Sequence, residues 1–388
     1  MKKKKLKKKE EINEKLTKHK TRKINITTLG GILKIKRVVL HNRQTKTTVV
    51  PKDEYLKILD LPFKITKSMM VEFAFYAQNQ VSFEQAKHML EKTYDIKTNA
   101  ETIRKVAEYV GKQVFENDTK EAKEKYEQMY ELPMLTELEK DDETLYILTD
   151  GAAVNTRIED ENGSTWRENK LVLAFTSKNM IKRPDGNHII TKKEYSAYVG
   201  SIEEFKKYML NVAVKAGYCK IKNVVIISDG ATWIRNACNE IFPDAIQILD
   251  KFHLAENLYT YAKYKYGENE KRYKKWVKTI MAYIEEGKKE KAIKILEKED
   301  YSNLPTGIPN ILGYINNNIN KIDYKEYKQK GYFVGSGAIE SGNKVVLQRR
   351  CKQAGMRWSV EGAQYMLTLK SKWESNLWNR EVALPLCV

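Results

Sequence analysis

Apolar and polar side chains alternate with two different periods along this chain of 388 residues. Residues 30–40 alternate with the two-residue period of a β-strand, and 47–50 is a second short stretch of the same type, so the two predict a β-hairpin. From about Thr66 the apolar side chains recur every three or four positions, which predicts helices. We therefore expect a small β-hairpin module over 29–65, followed by a helical region over 66–115.

The helical region is expected to contain two adjacent helices. Apolar faces predict one helix over 83–94 and another over 100–114, and the polar segment 95–99 separates them. The second helix carries Arg104 and Lys105 near its start, which is compatible with a helix-turn-helix motif that binds DNA. An ordinary antiparallel pair of helices has the same pattern, so both interpretations remain open.

The centre of the chain has the pattern of an α/β domain. Apolar stretches at 144–149, 170–175, 223–228 and 245–249 predict strands, and the amphipathic segment that begins at Ile202 predicts a helix between them. The fold class is therefore expected to be α/β.

Composition sets the remaining expected boundaries. Residues 116–143 contain eleven acidic residues against four lysines and are expected to form a helical, solvated connector. The expected order after it is the first part of the α/β core (144–251), a helical segment (252–332), and a C-terminal part of the core (333–388).

The charge is strongly positive and unevenly distributed. The chain has 70 Lys and Arg against 51 Asp and Glu, a net charge of +19, and residues 1–23 alone contain twelve Lys or Arg and three Glu. An excess of this size favours nucleic acid as the partner, through counterion release. We expect residues 1–28 to be a basic, flexible arm; a solubilising tail is the alternative.

Other classes of protein fit poorly. No segment approaches the about 18 apolar residues of a membrane-spanning helix, and the N-terminus lacks the apolar region of a secretion signal. The cysteines show no C-x-x-C pairing, which argues against a zinc ribbon or a disulfide framework and fits a reduced cytosolic compartment. They are Cys219, Cys238, Cys351 and Cys387.

Candidate chemistry is found where two predicted strands end. Asp150 and Asp229 each follow an apolar strand and precede a Gly, and Glu340 lies just after the Gly-rich segment 335–337. Three carboxylates that converge at strand and helix ends could bind two Mg²⁺ ions, with a phosphodiester as the natural substrate in so basic a chain. Each residue also has a purely local interpretation, because Asp-Gly favours turns and a carboxylate stabilises the first turn of a helix.

Several further residues are candidates for binding DNA or for an accessory role. A basic band follows Glu340 and could neutralise phosphates, or could be an ordinary solvated helix face. Its members are Lys344, Arg349, Arg350, Lys352 and Arg357. The adjacent Trp358 is more typical of a core residue than of a base-stacking platform, and His253 is more typical of a hydrogen-bonding residue at a helix start.

These motifs resemble those of bacterial insertion-sequence transposases of the ISLre-two family. The matching segments are Thr149-Asp150-Gly151-Ala152, 228–233, 250–254, 335–340, and Arg357-Trp358-Ser359 with Gly362-Ala363. The resemblance implies an RNase H-like fold with a helical insertion between the second Asp and the Glu, and a DDE triad of Asp150, Asp229 and Glu340. It also implies an accessory role for Asp250 and His253, which match the D-x-x-H signature of mutator-type transposases.

The expected function is DNA transposition. The protein would use two Mg²⁺ ions, or Mn²⁺ in their place, to cleave element ends and to join the freed 3′-hydroxyl to target DNA. It would work as a homo-oligomer assembled on DNA, in the bacterial cytoplasm at the nucleoid. Two alternatives stay open: an RNase H-like nuclease without strand transfer, and a catalytically inactive, domesticated DNA-binding protein.

Deleting residues 2–9 should weaken binding to all DNA sequences alike, because each lysine that contacts a phosphate releases counterions regardless of sequence and the deletion removes this contribution. The slope of log K against log salt should fall by about 0.9 for each phosphate contact removed. Replacing the same lysines by arginines should leave the slope unchanged. Titrations of labelled duplexes at several salt concentrations measure it, and an unaltered slope after the deletion would refute the role of this arm.

Overall fold

The computed structural model describes residues 16–57, 62–184, 188–335 and 337–387. The chain divides into two compact units, one formed by Met1–Val114 with Trp378–Val388 and the other by Phe115–Leu377. Over the described residues, no helix is both long and apolar enough to cross a bilayer.

A β-ribbon begins the first unit. Strand β1 (Leu16–Thr28) pairs antiparallel with β2 (Gly31–Asn42), and the short β3 (Thr48–Val49) pairs with the end of β2. Gly31 closes the turn between β1 and β2 with a φ of +99°, a value that glycine adopts without strain.

The expectation of a flexible arm over 1–28 is therefore wrong for its second half, which is β1. Residues 1–15 lie outside the described residues. Thr and Ile favour strands, and Ile24 and Ile26 are buried against Ile35 while the lysines of the ribbon face water. The expected hairpin partner at 47–50 contributes only the short β3.

Helices complete this part of the first unit. They are α1 (Pro51–Tyr55), α2 (Lys67–Asn79), α3 (Phe83–Tyr94) and α4 (Ala100–Glu127). Ser82 begins α3 by accepting a hydrogen bond from the Gln85 amide, and Asn99 does the same for Thr102 in α4, which is the usual role of such residues at a helix start. The predicted bounds of α3 and the predicted start of α4 are confirmed.

Helix α4 continues well beyond its predicted end and enters the second unit. Its later residues are not the solvated connector expected over 116–143. Ala122 is buried, Phe115 and Tyr126 pack against the core of the second unit, and Asp118 forms an ion pair with the buried Lys372 at 2.6 Å. Phe115, Ala122 and Tyr126 form an apolar stripe that faces the core. The acidic composition of the segment did not predict this stripe.

The second unit is a mixed α/β domain. Its strands are β4 (Asp141–Asn155), β5 (Trp166–Thr176), β6 (Met180–Lys182), β7 (His188–Ile190), β8 (Glu194–Val199), β9 (Ile221–Ser228) and β10 (Ile246–Leu249). Five of them form one sheet in the order β10-β9-β4-β5-β8, whereas β6 and β7 form a separate ribbon. Strands β4, β9 and β10 are parallel, and β5 runs antiparallel to both β4 and β8.

Helices cover both faces of the sheet. Helices α5 (Ile202–Ala216) and α6 (Thr232–Ile241) pack on the face that carries Ile147 and Val172. The opposite face carries Tyr146 and Phe175, whose rings stack at 5.2 Å. Because side chains alternate along each strand, Asp150 belongs to this second face with Tyr146.

A helical segment follows β10, as predicted for 252–332. It comprises α7 (Lys251–Tyr266), α8 (Glu270–Glu285), α9 (Lys289–Leu296), α10 (Ile311–Asn317) and α11 (Tyr324–Gln329). The chain then returns to the sheet through α12 (Gly337–Gly342), a π-helical segment (Asn343–Gln348), α13 (Arg349–Cys351) and α14 (Val360–Glu374).

All of 333–388 was expected to belong to the core, but the last residues of the chain do not. A π-helical segment (Trp378–Ala383) and α15 (Leu384–Cys387) are part of the first unit. The Trp378 ring lies 5.8 Å from that of Phe75 in α2. This aromatic contact holds the C-terminal segment against α2.

Gly342 allows α12 to lie close against the sheet. A Cβ atom at this position would lie 2.9 Å from Cε1 of Tyr195 on β8 and 3.3 Å from Cδ2 of Leu171 on β5. Both neighbours are buried, so neither can move away without disturbing the core. The close approach fixes the height of α12, and thus of Glu340, above the sheet.

Gly342→Ala should destabilise the protein. Overpacking costs about 1–3 kcal/mol, while the better helix propensity of alanine returns up to about 1 kcal/mol. Gly337→Ala is the matched control, since nothing lies within 4 Å of a Cβ at that end of the same helix. Urea unfolding measures both variants, and a Gly342→Ala protein as stable as the control would contradict this packing.

Candidate functional site

Three aspartates lie in or directly after neighbouring strands, at the same side of the sheet. Asp150 lies in β4, Asp229 follows β9 and Asp250 follows β10. In the parallel register, Leu148 is opposite Ile227 and Leu249 is opposite Ser228. Strand β4 continues to Asn155, beyond its predicted end, so Asp150 lies within it and level with the carboxyl ends of β9 and β10. The three aspartates therefore lie at the side of the sheet where α/β proteins place their binding sites.

Asp150 is half-buried and well hydrogen-bonded. Its Oδ2 accepts a hydrogen bond of 2.6 Å from Nδ2 of Asn343, and its Oδ1 accepts one of 2.8 Å from its neighbour, the Gly151 amide. Burial raises the pKa of Asp150, and the negative charge of Asp229 raises it further, against the opposing effect of His253. Asp150 thus lies within electrostatic reach of both residues.

Asp229 forms a tight turn, which is the local interpretation that its Asp-Gly sequence suggested. Its Oδ1 accepts the Ala231 amide at 2.8 Å, and its carbonyl accepts the Tyr314 hydroxyl at 2.6 Å. Gly230 has a φ of +82°, and a Cβ there would lie 2.7 Å from Leu249. The turn holds the carboxylate at the strand end, so the local role of Asp229 and a functional role are compatible.

Asp250 and His253 lie at the start of α7. Asp250 is fully buried and accepts the amides of Phe252 and His253, at 3.2 and 3.1 Å. The His253 ring lies between two carboxylates, 3.7 Å from Asp250 and 3.4 Å from Glu256. Asp250 therefore caps the helix and positions His253, which is the local interpretation of the D-x-x-H motif.

Glu340 is half-buried in α12, one helical turn before Asn343. Residues three apart lie on the same face of a helix, so the contact between Asn343 and Asp150 directs this face of α12 toward the site. Nevertheless, no group of three or more His, Cys, Asp or Glu side chains among the described residues is close enough to hold a metal ion. The structure gathers Asp150 and Asp229 without completing a three-carboxylate centre.

The amide group of Asn343 was not anticipated from the sequence. Asn343 is buried, and its Oδ1 has no hydrogen-bond partner although its Nδ2 binds Asp150. A buried amide oxygen on a residue that contacts Asp150, with Asp229 within electrostatic reach, is an oxygen donor of the kind that fits a hard divalent cation, which keeps several waters. The three-residue spacing from Glu340 was the signal in the sequence that could have identified it.

The basic band after Glu340 is only partly on the surface. Lys344, Arg349, Lys352 and Arg357 are exposed. Arg350 is not: it is 1% exposed and its guanidinium lies 4.8 Å from the centre of the Trp358 ring. Burial lowers the pKa of Arg350 to about 10. The prediction of Arg350 as a DNA contact is therefore wrong, because it stacks inside the core with Trp358.

The two basic residues of the candidate helix-turn-helix are exposed to different degrees and both have acidic neighbours. Arg104 donates hydrogen bonds to Glu101 and Glu108 on its own helix, and the Lys105 ammonium lies 3.4 Å from Glu101. Hydrogen bonding to Glu101 raises the pKa of Arg104. A phosphate would have to compete with these carboxylates, so the role of both residues in DNA binding stays a prediction.

Comparison with known proteins places the chain in a family. The chain belongs to the uncharacterised protein family UPF0236, whose family model matches residues 4–384. No curated protein matches the chain. The function must therefore be inferred from the site itself.

Asp150→Asn should stabilise the protein at neutral pH in EDTA. The raised pKa of Asp150 means that folding disfavours its charged form, and this cost is fully present above the raised pKa. The advantage of the variant should shrink as the pH falls toward 3.8, the ordinary value, because Asp150 is then protonated in both states. Unfolding free energies between pH 4 and 7 measure the effect.

Asp160→Asn is the control of opposite sign. Hydrogen bonds from Ser164 and Asn162 lower the pKa of Asp160, so its loss should destabilise the protein at neutral pH and matter less in acid. An Asp150→Asn protein that loses stability at pH 7 would show that the carboxylate is not under electrostatic stress.

Proposed function

We propose that this member of the UPF0236 family is a metal-dependent DNA transposase. It would cleave phosphodiester bonds at the ends of an insertion sequence and join the freed 3′-hydroxyl to target DNA. One observation carries the proposal: the parallel register of β4 and β9 brings Asp150 and Asp229 within electrostatic reach of each other, and Asn343 ties the segment that contains Glu340 to Asp150.

An RNase H-like core is the fold that we propose for the second unit. Two features support it: a mixed five-stranded sheet, and a block of five helices, α7 to α11, inserted between Asp229 and Glu340. A helical insertion at this place in the chain is what the resemblance to the insertion-sequence transposases implies.

Asp150, Asp229 and Glu340 would be the ligands of two Mg²⁺ ions, which Mn²⁺ could replace. When bound, such ions stabilise the charge on the attacking and leaving oxygens of an in-line displacement. The protein contributes the positions of the ligands: the strand register fixes the two aspartates, Asn343 orients Asp150, and Gly342 sets the height of α12. Glu340 would join the aspartates when the metal and the DNA bind.

His253 would hold a proton near the reacting groups. Its ring is partly exposed, its charge affects the pKa of Asp150, and Asp250 holds its helix start in place. Imidazole is the side chain best suited to exchange protons at neutral pH. This is an accessory role that leaves the three carboxylates as the metal ligands.

DNA is the proposed partner because of the charge. The net charge of +19 and the exposed Lys344, Arg349, Lys352 and Arg357 would attract the phosphates of element ends and target. Assembly of several copies on DNA, and residence at the bacterial nucleoid, follow from the same proposal.

A catalytically inactive DNA-binding protein is the second candidate. The observation that favours it is that the described residues contain no completed group of three metal-binding side chains. Such a protein would bind DNA through its basic residues, and its biological activity would not depend on Asp150.

Asp150→Asn, Asp229→Asn and Glu340→Gln should each lower the rate of strand joining by a factor on the order of 10³, the effect of removing a preorganised electrostatic group. DNA affinity should stay within about twofold of the wild type, because none of these residues contributes positive charge. Glu161→Gln, in an exposed turn of the same unit, is the matched control and should join at the wild-type rate.

The assay uses purified protein, a duplex with the DNA sequence that borders the gene, a target plasmid and Mg²⁺. Metal-dependent cleavage with no joining would identify a nuclease instead. Joining that persists in any one of the three variants would remove that residue from the triad, and DNA binding without any cleavage would favour the inactive protein.

A further inference from the structure

The helical segment after β10 contains a cavity that the proposed chemistry does not use. Its volume is about 350 Å³, within the range of about 300–1,000 Å³ that is usual for small-ligand sites. The end of α7, one side of α8 between Arg272 and Thr279, and one residue of α9 line it. These residues are Tyr266, Arg272, Lys275, Trp276, Thr279 and Ile295.

Two aromatic rings form one part of the cavity wall. The centres of the Tyr266 and Trp276 rings are 6.4 Å apart with an interplanar angle of 65°. Trp276 also packs against the buried Tyr261 at 5.8 Å. Because both cavity residues are half-buried, each is held in place by its neighbours while it contributes apolar surface to the cavity.

Two positively charged side chains form another part of the cavity wall. The Arg272 guanidinium lies 5.5 Å from the centre of the Tyr266 ring, in a cation–π contact. Lys275 lines the cavity one turn further along α8. Residues 270–279 contain five Lys or Arg against the single Glu270, so the local potential is positive.

Two lysines near the cavity are already paired with carboxylates. Lys274 pairs with Glu270, and Lys265 pairs with Glu299. Over the described ranges, no ion pair to a carboxylate involves Arg272 or Lys275. Both cations that line the cavity are thus available to an anionic ligand.

We propose that this cavity binds one unstacked nucleotide of a single-stranded nucleic acid. The base would pack against Trp276 and the Arg272–Tyr266 pair, since aromatic rings and guanidinium planes stack with any base. Arg272 and Lys275 would bind the flanking phosphates. The Thr279 hydroxyl, which donates to the Lys275 carbonyl, retains its oxygen as an acceptor for a base amino group.

This binding requires neither the carboxylates nor a metal, so it would hold for an inactive DNA-binding protein as well. It adds to the proposed transposase a surface that holds a strand once the duplex has opened. A free mononucleotide has the same chemistry, and the experiment below separates the two sources.

The test uses the full chain in EDTA and a twelve-nucleotide single strand with a central 2-aminopurine. Binding should quench the fluorescence of this base, and Trp276→Leu should abolish the quenching and weaken binding by about 5- to 150-fold, the value of one stacked base. The double variant Arg272→Ala/Lys275→Ala should reduce the salt slope by about 1.4, or 0.7 for each phosphate contact on a single strand.

Two variants on the same helix are the matched controls. Lys274→Ala removes a charge that is already paired, and Tyr273→Leu removes an aromatic ring that does not line the cavity. Both should bind and quench like the wild type. A thermal unfolding curve for each variant shows that it is folded, and the double variant carries the test if Trp276→Leu is not.

Three results would overturn the proposal. An abasic strand of equal length that binds as tightly as the normal strand would exclude base stacking. Deoxyadenosine monophosphate that binds as tightly as the twelve-nucleotide strand would assign the cavity to a free nucleotide. Unchanged binding and quenching in both cavity variants would exclude the cavity as the binding site. If strand joining still depended on Asp150, only this inference would have failed and the proposed function would stand.

Discussion

The burial of the Asp150 carboxylate beside Asp229 is the constraint on which the rest of the site depends. Asp150 and Asp229 are brought together by the parallel register of β4 and β9, and burial, with a smaller contribution from the charge of Asp229, makes the negative charge of Asp150 unfavourable. A fold rarely keeps such an arrangement unless a cation or a proton relieves it. The hydrogen bond from Asn343 offsets this cost only in part, and its amide oxygen would be a further ligand for a cation.

The helix above the sheet converts this pair into a candidate catalytic site. Gly342 lets α12 approach Tyr195 and Leu171, and Asn343, the next residue, reaches Asp150. Glu340 is thereby carried on a helix whose position is fixed by packing and by a hydrogen bond. The π-helical segment that begins at Asn343 lies directly beside the contact, and π-helical turns are frequent at functional sites.

The sequence predicted what depends on local pattern and missed what depends on tertiary contacts. Apolar runs such as 144–149 and 223–228 identified the central strands, and capping residues such as Ser82 identified the helix starts. The lysine-rich β1 was missed because residues 17–23 are all exposed and only its end, at Ile24 and Ile26, shows apolar alternation. Arg350 was predicted to be a surface residue because its contact with Trp358 forms only when the chain is folded. The roles proposed for Asp150, Asp229 and Glu340 come from motifs, and the structure adds Asn343 to them.

A crystal structure with Mn²⁺, with the ions located by their anomalous scattering, would test the central claim most directly. We expect peaks held by Asp150 and Asp229, with the Glu340 carboxylate moved into contact and the hydrogen bond from Asn343 retained. An absence of Mn²⁺ beside Asp150 and Asp229 at millimolar concentrations, or ions bound there with Glu340 left apart, would contradict the proposed metal site.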